Sequence, residues 1–256
     1  ARYFLLNNRG AIAPGYLADF VVIDSFESFT IQQVFKKGVE MYDGRTVRDF
    51  QVPEIDPYLF RRAHDTFHVA HLTAQDFEER RPRGIIGMVP GELVTTDQGY
   101  SDHIDAEWDI LKIAVIERHK NTHHIGVGYL QGYGLKRGAV ATSVSHDSHN
   151  IIVVGANEED MAAAANRVTA NRGGIVVMED GQIRGEVVLS IAGLMSEDTL
   201  ENVNRALEGA KDAAFALGVS REIDPFMTLS FMSLPVIPTL RLTTRGVIDV
   251  LKQQYI

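Results

Sequence analysis

Ser145-His146-Asp147-Ser148-His149-Asn150-Ile151-Ile152-Val153-Val154-Gly155 decides how the rest of the chain is read. Six polar side chains stand directly before a four-residue apolar run. A short apolar run bounded by turn signals reads as a buried strand. If strand geometry extends back from Ile151, alternation puts His146, Ser148 and Asn150 on one side and Asp147 and His149 on the other. A core strand has no use for such a cluster, because each buried polar group without a partner costs about 1–3 kcal/mol. The cluster is therefore either a solvated strand entrance capping a neighbouring loop or the rim of a functional site.

Residues 139–145 lead into this cluster as a further strand. Upstream, residues 109–117 form a strong strand, with Ile110, Ile113, Val115 and Ile116 apolar. It ends in a second polar cluster, Arg118-His119-Lys120-Asn121-Thr122-His123-His124. Ligand-binding groups in α/β sheets gather at strand ends; a solvated loop has the same composition. The glycine-rich run over residues 126–138 fits neither G-x-G-x-x-G nor G-x-x-x-x-G-K-[ST]. It reads as a flexible or tightly turned loop whose glycines supply unusual φ.

Downstream, Asn157 is a good helix N-cap, and Glu158, Glu159 and Asp160 suit the positive end of the helix dipole. Met161, Ala164, Ala165 and Val168 keep the helical spacing, and Arg172-Gly173-Gly174 ends it. Residues 175–178 and 183–189 read as a hairpin about Asp180-Gly181. The longest helix starts at Ser196-Glu197-Asp198-Thr199 and runs to about Leu217, with Gly218 as its stop. Its small residues Ala206, Ala210, Ala213 and Ala214 predict close packing on a sheet. Residues 225–238, rich in proline, read as a rigid, extended, apolar connection at a sheet edge or domain contact. Residues 240–243 and 246–251 close the chain. This order of strands, helices and hairpins predicts an α/β fold, mixed α+β in content, around a mixed sheet.

The front of the chain has a different character. Asn8-Arg9-Gly10-Ala11-Ile12-Ala13-Pro14-Gly15 carries a turn pair at Pro14-Gly15. Phe20–Ile23 reads as a buried strand, and Ile31–Lys36 with Val39–Tyr42 as a hairpin. A β unit of this size is short for an independent core, so it is expected to pack on something outside the chain. Pro53 and Pro57 interrupt the stretch that follows. The expected organisation is residues 1–48 as β strands, 49–65 as a linker and 66–256 as the α/β domain. His64, His68 and His71 would share one face of a helix and suggest a metal. However, Thr66-Phe67-His68-Val69-Ala70 has strand composition, which makes them exposed strand histidines. Thr73 with Asp76 reads as a helix start, and residues 83–96 as two short strands about Pro90-Gly91.

Composition bounds the function. A net charge of −9 removes the basic footprint of a nucleic-acid binder. No apolar run approaches the ~20 residues of a membrane span, so neither nucleic acid nor membrane is an expected partner. The absence of cysteine excludes disulfides and thiolate metal sites and fits a reducing compartment. No signal peptide is legible at the start. The first residue is not Met, and the chain reads as cut or processed.

Gly10, Ile12, Pro14, Gly15, Ala18, Asp19 and Asp24 resemble the motif by which amidohydrolases leave their metal-bearing barrel and complete a small β-sandwich. Asp19 and Asp24 in that motif are structural. Further on, the run from Lys112 to Lys120, Gly132-Tyr133-Gly134-Leu135-Lys136-Arg137-Gly138-Ala139 and His146-Asp147-Ser148-His149-Asn150 are similar to the C-terminal domain of bacterial adenine deaminases. So are Asn157-Glu158-Glu159-Asp160-Met161, Ile191-Ala192-Gly193-Leu194-Met195-Ser196 and Leu234-Pro235-Val236-Ile237-Pro238. With the front motif, the resemblance spans essentially the whole chain.

The resemblance implies a metal-dependent hydrolase of adenine, giving hypoxanthine and ammonia, with a (β/α)8 barrel, a β-sandwich and this extra domain. It further implies a divalent metal, manganese, whose ligands lie on the barrel upstream of residue 1. None of those ligands maps onto this chain, and His64, His68 and His71 do not match them. No catalytic residue is assigned here. His119, His146, Asp147, Ser148 and His149 are the candidates for lining the substrate pocket at the barrel mouth. The implied partners are adenine, the barrel half of the same enzyme and further copies in a homo-oligomer; the implied setting is purine salvage and adenine catabolism in the cytoplasm. The chain alone is expected to be inactive. The competing reading is a non-catalytic oligomerisation or lid domain of another amidohydrolase acting on a cyclic amine or amide.

Overall fold

The computed structural model describes residues 1–51, 53–105 and 107–256. It divides into two units, Ala1–Ile55 and Asp56–Ile256. In the first, β1 (Phe20–Ile23), β2 (Ile31–Lys36) and β3 (Val39–Tyr42) pair antiparallel in that order. Phe20 lies opposite Phe35 in the ladder, and their rings stack at 4.7 Å. The two motif aspartates close turns. Asp19 accepts from the Lys37 amide at 2.7 Å and from the Lys36 and Arg9 side chains. Asp24 accepts from the Ser28 hydroxyl and from the Ser25 and Thr30 amides. The Ser28 hydroxyl first, and then those amides, hold its carboxyl down at about 2.

The second unit opens with α1 (Pro57–His64), inside the stretch expected to be linker. Pro57 does not interrupt here. It occupies the first turn, where a missing N–H costs nothing, and Asp56 caps the Tyr58 amide at 2.8 Å. The strand expected at 66–70 does not form; the backbone there belongs to no ladder. The helix expected after Thr73 is a single 3₁₀ turn, Ala74–Phe77, held by Asp76 accepting from the Thr73 amide and hydroxyl.

Then follow β4 (Arg83–Met88), β5 (Thr95–Ser101), β6 (Ile110–Ile116), β7 (Ile125–Gln131), β8 (Ala139–Thr142) and β9 (Ile151–Gly155). Next are α2 (Glu158–Ala170), β10 (Gly174–Glu179), β11 (Gln182–Val188), α3 (Leu200–Ala216) and α4 (Pro225–Phe231). Three short strands, β12 (Leu240–Thr243), β13 (Gly246–Asp249) and β14 (Gln254–Tyr255), end the chain as their own antiparallel sheet.

The main sheet has the order β11-β10-β8-β9-β6-β7-β4-β5, and among the described residues only β4 with β7 is parallel. This is the mixed sheet and mixed α+β content expected. Strand alternation sorts two cores. Ile151 and Val153 of β9 join Ala114, Ile116, Met161 and Ala165 under α2. Ile152 and Val154 join Ile113, Val115, Ala210, Ala214, Leu229 and Leu242 under α3, α4 and β12. With both faces covered, every residue of β9 is buried.

Two further expectations change. Gly126 and Gly128 lie in strand β7 rather than in a loop, because they serve close approach rather than unusual φ. A Cβ on Gly126 would stand 1.9 Å from the Thr243 carbonyl oxygen, and one on Gly128 2.5 Å from Val247. The loop reading holds from Gly132 onward, where Gly132, Gly134 and Gly138 take positive φ. Residues 225–231 are a helix, not an extended connection. Pro225 is again in the first turn, and Asp224 caps the Phe226 and Met227 amides. Leu234 to Pro238 then turns back toward β12.

Candidate functional site

The two polar clusters meet at one end of the main sheet. Ile116, the last residue of β6, pairs with both Ile125 and Ile151, the first residues of β7 and β9. Thr142 at the end of β8 pairs with Ile152. The β6–β7 connection (117–124) and the β8–β9 connection (143–150) therefore emerge side by side.

The second connection is a turned loop, so the strand does not extend back from Ile151 and the expected alternation of residues 146–150 is overturned. The His149 amide donates to the Ser145 carbonyl at 2.7 Å, and His149 takes φ +50°. Ser145 is buried, its hydroxyl 2.5 Å from that of Ser233. The His146 amide donates to the Ser230 carbonyl at 3.0 Å, and its ring stacks on Phe231 at 4.7 Å. The loop is thus seated on the end of α4.

Each candidate residue has a definite place. The His146 and His149 rings lie 6.0 Å apart. Asp147 is exposed, its carboxylate 3.9 Å from His146 Nδ1. Ser148 is exposed, and its carbonyl lies 2.8 Å from His119 Nε2, which ties the two connections together. Asp147 and Ser148, with Asn150, Ser233, Pro235 and Thr243, line a cleft of about 320 Å³. His119, His146 and His149 lie outside that lining. Burial, and after it the neighbouring His146 and Arg118, hold the His149 imidazole below its ordinary range, with Asp147 opposing. Its Nδ1 is buried without a hydrogen-bond partner among the described residues.

Sequence reasoning missed the groups that hold this end together. Arg118 is 2 % exposed, and its guanidinium donates to main-chain oxygens of three segments: His149, Thr66 and Ala192. It lies 4.2 Å from the Phe67 ring centroid. Burial pushes it down to about 10, with Glu117 opposing. Ser143 donates to the Gly193 carbonyl at 2.6 Å and accepts from the Gly174 amide at 2.8 Å. Arginine at the head of a polar cluster reads as solvated; only the convergence of the 66, 149 and 192 segments buries it. Glu117 accepts from the amides of His119, Lys120 and Thr122, and so folds its own loop.

The three early histidines separate. His64, at the end of α1, pairs with Glu197 at 2.9 Å and with the Phe60 carbonyl at 2.8 Å. His68 is 4.0 Å from Asp65. Among the described residues, no three His, Asp or Glu side chains are placed to hold a metal ion. The described donors at this end do not fit the divalent metal that the family resemblance implies: the His146 and His149 ring centroids lie 6.0 Å apart with the exposed Asp147 carboxylate beside His146 alone, and His119 Nε2 is engaged with Ser148.

Residues 91–254 match the family described as the adenine deaminase C-terminal domain. The chain belongs to that family. The matched span contains both polar connections and every candidate residue. Among curated proteins, an adenine deaminase of Sinorhizobium fredii is 43% identical over 260 residues, covering 98% of this chain and 45% of the relative. Adenine deaminase 1 of Rhizobium johnstonii is 43% identical over 263 residues, with 98% and 44% covered. An adenine deaminase of Brucella melitensis is 40% identical over 266 residues, with 100% and 44% covered. This adenine deaminase C-terminal domain and the β unit before it span less than half the length of those relatives.

Proposed function

We propose that this chain is the C-terminal part of an adenine deaminase, which hydrolyses adenine to hypoxanthine and ammonia, and that it is inactive alone. The observation that carries this reading is near-complete coverage of the chain by relatives named adenine deaminase, each about twice its length. The small β unit supports it. In the segments flanking its strands Tyr3, Phe4, Ile12 and Phe26 stand 74–92% exposed, as expected of a unit that packs on another part of the enzyme.

In this reading the end of the main sheet faces the barrel mouth and offers His119, His146, Asp147, Ser148 and His149 to the base. A site that pairs the polar edge of a base rejects analogues that leave its groups unpaired. The reading brings with it a divalent metal, manganese, whose ligands belong to the part of the enzyme outside this chain. It also places the enzyme in purine salvage and adenine catabolism, in the cytoplasm, as a homo-oligomer. No helix of the described residues is long and apolar enough to cross a membrane.

The test is ammonia release from adenine with manganese present. This chain is assayed alone and then with the part of the Sinorhizobium fredii relative that it does not match. Release only from the mixture is expected. Release from the chain alone, or silence from a folded mixture, overturns the reading.

A further inference from the structure

Arg118 is an expensive way to tie loops together. A buried guanidinium without a counter-ion pays a large desolvation cost. Among the described residues no carboxylate hydrogen-bonds it, and Glu117 acts on it through charge alone; its partners are the His149, Thr66 and Ala192 carbonyls and the Thr66 hydroxyl. Main-chain oxygens are satisfied as well by a neutral donor. The guanidinium adds two things: a fixed anchor on the His149 carbonyl, and a positive charge beside the His149 ring.

The ring itself is asymmetric. Its Nδ1 is buried and partnerless among the described residues, whereas Nε2 is not among the buried atoms lacking a partner. A proton on Nδ1 would be a buried N–H with no acceptor, next to a cation. The proton therefore belongs on Nε2. The groups facing the ring are Arg118 and His119 from the β6–β7 connection and His146 and Asp147 from its own loop. Three of them are basic, and with burial they hold the ring below its ordinary range.

We propose that His149 is a fixed, neutral hydrogen-bond donor, offering Nε2–H at the sheet end to an acceptor nitrogen of an uncharged nitrogen heterocycle, and that Arg118 is its positioning residue. The ligand class rests on the reading of the chain as part of an adenine deaminase; the tautomer does not. A purine base carries ring nitrogens that only accept, and a neutral donor meets them without desolvating a charge.

The tautomer is read in this chain from two-bond proton–nitrogen spectra of ¹⁵N-histidine-labelled protein. A single Nε2–H form of His149 at neutral pH is expected; an Nδ1–H form or an even mixture overturns the proposal. Arg118→Met is expected to release the ring into tautomer exchange and raise its pKa. If that variant does not fold, Arg118→Lys supplies the comparison, retaining the charge while reaching fewer carbonyls. An unchanged His149 spectrum in the folded variant removes Arg118 from the proposal.

In the mixture with the unmatched part of the relative, His149→Gln keeps a donor near Nε2 and is expected to stay within about threefold of the parent in kcat/KM. His149→Asn and His149→Phe are expected to lose about tenfold, chiefly through KM. Equal activity in all three overturns the contact with the base while leaving the adenine deaminase reading intact. Silence from the parent mixture instead sinks that reading, and the ligand class falls with it.

Discussion

At the scale of single residues, this structure is held by side chains whose surroundings come from distant segments. Arg118 collects oxygens from residues 66, 149 and 192. Arg118→Ala leaves those carbonyls short of donors and a cavity beside Phe67. A loss of about 3 kcal/mol is expected in urea unfolding, against no measurable change for the exposed Lys120→Ala. His64 makes a second such link, from α1 to Glu197. The Phe60 carbonyl first, and then Glu197, raise its pKa above the ordinary 6.5. A raised folded-state pKa means that the ion pair contributes fully below pH 6.5 and fades as pH climbs through the higher folded value. Melting temperature followed from pH 6 to 9 is expected to fall more in the parent than in Glu197→Gln; parallel curves would dismiss the pair. Neither residue announced its role in the sequence, because burial of Arg118 and pairing of His64 depend on partners 31 to 133 positions away.

At the scale of elements, caps and close approaches decide more than composition does. Asp224 starts α4 by accepting from the Phe226 and Met227 amides. Asp224→Ala is expected to cost about 1 kcal/mol. Burial works against its carboxylate, but those amides and Lys211 outweigh it and hold the pKa below 3.8. That contribution is therefore present above pH 3.8 and is lost as pH falls through the lower folded value. Acid unfolding of the parent and variant should converge there. Gly126 in β7 admits the turn between β12 and β13, with the Thr243 oxygen where a Cβ would sit. Gly126→Ala is expected to cost about 3 kcal/mol, at the upper end for an overpacked site. Wild-type stability would show that the small sheet can move aside. The sequence disclosed α2, α3 and most strands because spacing, Asn157 and Gly218 are local signals. It misplaced α1, α4 and the start of β7 because proline and glycine carry opposite meanings in different settings. Proline breaks a helix interior but fits a first turn; glycine frees φ but also clears space.

At the scale of the whole molecule, residues 56–256 contain both core clusters and the complete eight-stranded sheet. Expressed without residues 1–55, they are expected to unfold in one cooperative step, with the same thermal midpoint in circular dichroism and in near-ultraviolet signals. Separate midpoints would divide the unit further. The sequence by itself determined the class of fold, the strong central strands, the capped helices and the kinship with adenine deaminases, because these rest on local periodicity, capping and motif order. It also marked the two polar connections at strand ends as the place to look. Only the tertiary structure decided that the β6–β7 and β8–β9 connections stand side by side, that residues 146–150 turn rather than extend, and that a buried arginine is anchored on the His149 carbonyl. Those facts depend on strand order, which sets distant segments against one another through ladder pairing and shared burial, and no local pattern encodes such a pairing.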